Sequence, residues 1–203
     1  VRCRASHATS FSMNPGALDG KVIELTKFRF KQSLDIARLL GAEVLVFHSG
    51  YNAHIKSESY RNQFVRKQVA FWKDFIKEND VEDLTIVLEN TFEEDPHILK
   101  AVYDAVDSNN FKACLDLGHV SVFSNYNVLY WFKILKKHLK HFHVHNNNSK
   151  RDQHNSILRG EINFTEFFEE ITRFNQPFTL TLEIFEKNDV IESLEFIRKN
   201  FQL

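Results

Sequence analysis

Short runs of β-branched and apolar residues alternate along this chain with longer stretches whose apolar positions recur at helical spacing. A period near 2 marks a strand and one near 3.6 a helix. The first run, residues 1–8, is the least distinct strand, and Asn14, Pro15 and Gly16 mark the loop after it. Over residues 19–40, Val22, Leu25, Phe28, Leu34, Ile36 and Leu40 predict a helix, with Gly41 where a C-cap belongs. EVLVFH (43–48) predicts a second strand, and residues 59–79 a helix carrying Phe64, Val69, Phe71, Phe75 and Ile76 on one stripe. LTIVLEN (84–90) is a third strand, after which Asp95-Pro96 supplies an N-cap and a first-turn proline for a helix to about residue 106. FKACLD (111–116) is a fourth strand, running into a turn at LGH. Residues 126–140 read as an amphipathic helix exposing Lys133, Lys136, Lys137 and Lys140, a solvated basic face. HFHVH (141–145) is a fifth strand, and Asn163 with Glu166 forms a capping box for a helix to about residue 174. FTLTLE (178–183) is the sixth strand, and Asp189 with Glu192 repeats the capping signal for a closing helix. Six strands, each followed by helix, predict an α/β fold, a parallel sheet covered by helices in a single domain over residues 1–203.

The polar residues that interrupt this pattern fall at equivalent places. His7, His48, Glu89, Asp116 and Glu183 end their strands, and His143 lies near the end of the fifth. In parallel α/β folds function collects at the carboxyl ends of strands, and imidazole with carboxylate is the ligand chemistry of zinc and similar ions. The run from His141 to His154 is the densest part. Strand alternation turns His141, His143 and His145 to one face, with Phe142 and Val144 toward a packed layer, and the loop beyond delivers Asp152 and His154. Bulk composition narrows the alternatives. Lys and Arg number 26 against 27 Asp and Glu, which gives no global reason to expect nucleic acid. No apolar run approaches bilayer length and no secretory core is visible. Cys3 and Cys114 lack a CxxC spacing, so both are expected as buried thiols in a reducing, cytoplasmic setting.

VFHSG, VLEN, DLGH, HVHN with DQH, and TLE follow one another in this order. As an ordered set they resemble the xylose isomerase-like TIM-barrel superfamily, which includes sugar phosphate isomerases and epimerases and the endonuclease IV-like apurinic endonucleases. The resemblance covers nearly the whole chain. It implies a TIM (β/α)8-type barrel in which six βα units are visible and the first two would precede Val1. Truncation, an open barrel or closure by a partner would each account for that, and the last makes an oligomer an expectation. The resemblance further implies one to three divalent ions, zinc first, with manganese, cobalt or magnesium as alternatives. In endonuclease IV-like members nine side chains hold three zinc ions. Carried over, His7, His48 and Glu89 would hold one ion, and Glu89 would bridge to a second held by Asp116, His143 and Glu183. His119, Asp152 and His154 would hold the third. Isomerase and epimerase members often use one ion, corresponding here to Glu89, Asp116, His143 and Glu183. Four features depart from the endonuclease pattern. Asn146 stands where an Asp is common, Leu158 replaces the first glycine of a GxG, Gln153 takes the place of an Arg, and His143 to Asp152 is a shorter spacing.

Two chemistries follow from one ligand set. The leading expectation is a metal-dependent isomerase or epimerase acting on a sugar, a sugar phosphate or a related hydroxy-carbonyl compound, with Glu89 and Glu183 moving the proton. The alternative is phosphodiester or phosphomonoester hydrolysis at a multinuclear site, with duplex DNA disfavoured by the near-neutral charge and by Gln153. A degenerate barrel that binds without turnover is a third class. Among the remaining residues, His145 is expected at the pocket mouth as a substrate contact, His54 as a loop residue within reach of substrate, and Asn90 as a hydrogen-bond partner of a ligand. His141 is expected to be packed and hydrogen-bonded, His97 exposed in a helix first turn, His138 late in a helix, and Trp72 in the core.

Overall fold

The structure is a computed structural model and describes residues 4–10 and 12–201. The alternating pattern resolves into β1 (Ala5–His7), α1 (Gly20–Leu39), β2 (Val44–His48), α2 (Glu58–Asn79), β3 (Thr85–Glu89), α3 (Pro96–Val106) and β4 (Phe111–Asp116), then α4 (Leu117–Phe123), α5 (Val128–Leu135), β5 (Leu139–Val144), α6 (Phe164–Ile171), β6 (Thr179–Leu182) and α7 (Lys187–Asn200). The strands lie in chain order and every neighbouring pair is parallel. Parallel neighbours need a crossover, and the helices supply it. Among the described residues β1 and β6 are the two edges of the sheet.

The strand register explains why the strand-end residues meet. His7 lies opposite Val46, two residues short of His48, and His48 is level with Glu89. Glu89 lies opposite Cys114, two short of Asp116, and Asp116 is level with His143. His143 in turn lies opposite Thr181, two short of Glu183. The line of functional groups therefore climbs two residues at alternate junctions, the stagger that tilts strands around a barrel. A step of two preserves the face on which a side chain lies, so the whole line looks into the interior of the curved sheet. Beneath it on the same face lie Ala5, Val44, Val46, Val87 and Cys114, a small apolar plug. The alternate positions, among them Phe47, Leu88, Leu115 and Phe142, join the main core under the helices. Aromatic rings fill that layer: Phe30 meets Phe47 at 4.3 Å and Trp72 meets Phe111 at 5.1 Å between centroids.

Several elements differ from the sequence expectation. The LGH turn is the start of α4, N-capped by the Asp116 carboxylate, which accepts from the His119 backbone N at 2.6 Å. A helix of seven residues is too short to show a period. The helix expected over residues 126–140 stops at Leu135, because Leu139 pairs with Ala113 and begins β5. Lys140 thus belongs to a strand, and His138 to the connection, where it is buried and its Nε2 meets Asp104 at 2.7 Å. Burial holds the His138 imidazole below its ordinary pKa, so it is not the helix-end cation that its place in the sequence suggested. Asp189 does not cap α7, which begins two residues earlier. Its buried carboxylate accepts from the Ser156 backbone N and pairs with Arg159. Cys114 is buried as expected, while Cys3 and the first three positions of the strand expected over residues 1–8 lie outside the described residues. One face of α1 is bare: Leu25, Phe28, Ile36 and Leu39 are exposed at helical spacing, Leu39 by 87%.

Candidate metal centre

Glu89 ends β3 at the centre of the interior face and is only 1% exposed. Its two oxygens face different neighbours. Oε2 lies 3.3 Å from His7 Nε2 and 3.4 Å from His48 Nε2. Oε1 lies 3.3 Å from His119 Nδ1 and 3.1 Å from His143 Nδ1. His143 Nδ1 is also 3.1 Å from Glu183 Oε2 and 3.7 Å from Asp116 Oδ2. On the far side Asp152 Oδ2 meets His119 Nε2 at 3.3 Å and His154 Nε2 at 3.2 Å, while its Oδ1 lies 3.7 Å from His145 Nδ1. These contacts resolve into three donor groups: His7, His48 and Glu89; Glu89, Asp116, His143 and Glu183; and His119, His145, Asp152 and His154. Within each group the donor atoms lie within 4.8 Å of one another. All nine residues expected as ligands are brought together, in the expected grouping, and His145 joins the third group.

Three of the imidazoles are also fixed by a backbone carbonyl. His7 Nδ1 donates to Ala8 O at 2.9 Å, His119 Nδ1 to Asn90 O at 2.9 Å, and His154 Nδ1 to Glu183 O at 2.7 Å. A ring nitrogen that donates to a carbonyl turns the other one toward the carboxylates, where a bound cation would have to displace its proton before using its lone pair. His145 Nδ1 is buried with no hydrogen-bond partner, a state that costs about 1–3 kcal/mol unless something binds there. Charge follows the same logic. Burial opposes ionisation of Glu89, yet His143, His119 and His48 hold its carboxyl well below the usual range. Burial likewise opposes charge on Asp116, and His119 and His145 outweigh it. At His119 burial is overcome by Asp116, Asp152 and Glu89, so its pKa lies well above the ordinary imidazole value. His141 stands apart. It is fully buried, its ring nitrogens meet Thr179 Oγ1 at 2.6 Å and Thr181 Oγ1 at 3.2 Å, and burial pushes its pKa down to about 3.

The loop after β5 closes this site. Asn146 and Asn155 pair as an antiparallel bridge, with backbone N–H to O distances of 3.0 and 2.9 Å, so the chain doubles back and returns Asp152 and His154 onto His145. The His154 ring lies between His145, at 3.9 Å, and Phe185, at 4.4 Å, and its backbone is left-handed with φ 52°. A non-glycine residue in that region is strained, as residues at functional sites often are. His145 is therefore buried under the loop, not at the pocket mouth. Gly118 makes room for it, since a Cβ there would lie 1.9 Å from the His145 ring. Gln153 and Asn146 serve the loop as well: Gln153 Oε1 accepts from Asn148 N at 3.0 Å, and Asn146 pins residues 147, 157 and 162. Asn90 exchanges two hydrogen bonds with the Asp116 backbone, at 2.8 and 3.0 Å. His54 is exposed and does not line the cavity above the donors, which has a volume of about 460 Å³.

Comparison with known proteins supplies the family. Residues 3–200 match the profile of the xylose isomerase-like TIM barrel. The chain belongs to that family. Among solved structures, a D-tagatose 3-epimerase-like protein superposes with a TM-score of 0.84 at 23% identity, covering 97% of this chain and 76% of that one. D-allulose 3-epimerase from Methylomonas sp., in complex with D-allulose, superposes with a TM-score of 0.74 at 15% identity over 99% of this chain and 77% of that one. A Thermus thermophilus protein soaked with ZnCl2 gives 0.69 at 23% identity, over 95% and 75%. An uncharacterized protein of Methanocaldococcus jannaschii is 24% identical over 97% of this chain and 69% of its own length. As a family member the chain has a TIM-barrel-like fold, and no helix among its described residues is long and apolar enough to cross a membrane.

Two features of the site escaped the sequence reading. The place of His145 in the third donor group was legible in part, since strand alternation already put it on the face of His143. Cys114 forms a further close group with His141 and His143, and burial pushes its thiol up to about 12. Its position opposite Glu89 follows from the register of β3 and β4, which a single run of sequence does not reveal.

Proposed function

We propose that this family member is a divalent-metal-dependent isomerase or epimerase of a polyhydroxy-carbonyl compound. The observation that carries the reading is the close set Glu89, Asp116, His143 and Glu183, of which Glu89 and Glu183 line the cavity and Glu183 is the most exposed. An ion bound by these four supplies a Lewis acid for a substrate carbonyl. Burial opposes charge on Glu183, but His143 holds its carboxyl below the ordinary value, so it is ionised at neutral pH and able to accept a proton. We assign it the proton taken from the carbon beside the carbonyl. In an isomerisation that proton returns to the former carbonyl carbon while the hydroxyl proton passes to the other oxygen, and in an epimerisation a proton from solvent restores the same carbon from its opposite face. Glu89 was expected to share that work. Contact with four imidazoles on its two oxygens suits it better to a ligand's place than to free proton transfer. The cavity lining of hydroxyls, carboxylates, imidazoles and aromatic rings suits an uncharged polyol, and among its described residues there is no Lys or Arg to take a phosphate. The epimerases among the structural relatives support the same reading.

A second reading has its own observation. The third donor group, with the first, offers enough ligands for a multinuclear phosphoester hydrolase. Metal analysis with a substrate panel separates the two. One tightly held ion per chain and turnover of a ketose support the isomerase. Three tightly held ions with cleavage of abasic-site DNA or a simple phosphodiester, and no ketose turnover, support the hydrolase.

A further inference from the structure

The loop after β3 has its burial inverted. In the sequence Thr91-Phe92-Glu93-Glu94 both carboxylates and the threonine are buried, while Phe92 is 47% exposed. Water would sort these side chains the other way, since apolar surface is driven inward and buried carboxylates need partners. The partners are present. Glu93 accepts from the Ser49 hydroxyl, and from the Thr91 backbone N at 2.8 Å. Glu94 pairs with Arg61 and accepts from Tyr51 Oη at 3.4 Å. Gln68 ties the Ser49 carbonyl to the core at 2.7 Å, and Trp72 in turn donates to Gln68 at 2.8 Å. The loop is thus anchored by its polar residues, and what it presents is a phenyl ring.

That ring lines the cavity above the donor groups. It packs edge-on against Phe123 at 4.8 Å, and Phe123 lies 6.1 Å from the His119 ring, so the pair forms a wall rising from the donors to the mouth. Phe123 ends α4, the helix that also positions His119, so one short element sets both the wall and a donor. We propose that the Phe92–Phe123 wall is the specificity surface of the site and takes the C–H face of a carbohydrate carbon chain beyond the reacting carbonyl. A sugar's C–H groups carry slight positive charge, and the face of an aromatic ring carries the negative part of its quadrupole. The inference rests on the isomerase reading and adds to it the residues that choose the substrate.

The test uses the metal-loaded chain with D-tagatose and D-fructose, reading turnover, saturation-transfer NMR of the sugar C–H protons, and metal content. Phe92→Ala, at a half-exposed position outside the main core, raises KM by roughly three- to tenfold, leaves kcat within about twofold of the wild type by the same scale, and leaves metal content unchanged. Phe92→Trp restores KM, which a merely structural role would not require. If the wild type turns over either sugar and Phe92→Ala keeps its KM and its saturation transfer, the wall is refuted while the isomerase reading stands. If the wild type neither binds nor converts either sugar but cleaves a phosphodiester, the isomerase reading fails and the carbohydrate wall falls with it.

Discussion

Asn146 donates its amide to the carbonyls of Ile157 and Ile162, at 3.0 and 3.2 Å, while its oxygen accepts from the backbone N of Asn147 and of Ile162. A carboxylate at that place would set an acceptor against two carbonyls inside a buried loop. This gives a physical reason for asparagine where related sequences were expected to carry aspartate. It also separates Asn146 from the donor groups: the side chain shapes the loop and belongs to none of them. Asn146→Asp should therefore destabilise the fold by about 1–3 kcal/mol, read as a lower urea midpoint with an unchanged slope. An unchanged midpoint would mean that the amide donors are not needed.

At the scale of the elements, the strands were legible because their apolar runs are short and end in His, Asp or Glu, and the register of the sheet keeps those ends on one face. The grouping of nine donors followed from the ordered motifs. What was not legible depends on contacts distant in sequence. α4 is capped by a residue that also belongs to the donor set, and the end of α5 is decided by pairing of Leu139 with Ala113. The burial of His145 depends on the bridge between Asn146 and Asn155, which no local pattern announces. The bare stripe on α1 is also an element-scale property. Apolar patches of this kind mark contact surfaces, so the 203-residue chain should self-associate, and Phe28→Glu with Ile36→Glu should shift it toward monomer in sedimentation velocity. A wild-type chain that sediments as a monomer at high concentration would remove that expectation.

Across the whole molecule, the site gives the metal-free fold a stability that is lost toward both acid and alkaline pH. His7, His119, His143 and His154 have raised pKa values against the opposing effect of burial, through neighbouring carboxylates at His7, His119 and His154 and through Cys114, then Glu89 and Glu183, at His143. Their contribution to the metal-free fold is full below about pH 6.5 and is lost as pH rises through the folded values. Glu89, Asp116, Asp152 and Glu183 are depressed, again against burial and through the histidines. Their contribution is full above about pH 4 and is lost on acidification through the folded values. An ion held by Glu89, Asp116, His143 and Glu183 would have to displace the His143 proton, so its binding would strengthen as pH rises. The increase in Tm given by saturating ZnCl2 over an EDTA control should be larger near pH 8 than near pH 6. An equal or smaller increase near pH 8 would show that His143 is not a ligand.

The proposed function stands or falls on proton transfer at a substrate carbon by a site that needs its ion. Deuterium incorporation from D2O into a ketose reads that transfer itself, followed by NMR for the metal-loaded chain, the EDTA-stripped chain and Glu183→Gln. Exchange is expected at the carbon beside the carbonyl with metal present, none after stripping, and a loss of roughly 10²- to 10⁴-fold in Glu183→Gln with the fold intact. Exchange that persists undiminished in Glu183→Gln, or its absence from every ketose while the metal-loaded chain cleaves a phosphodiester, would overturn the proposal.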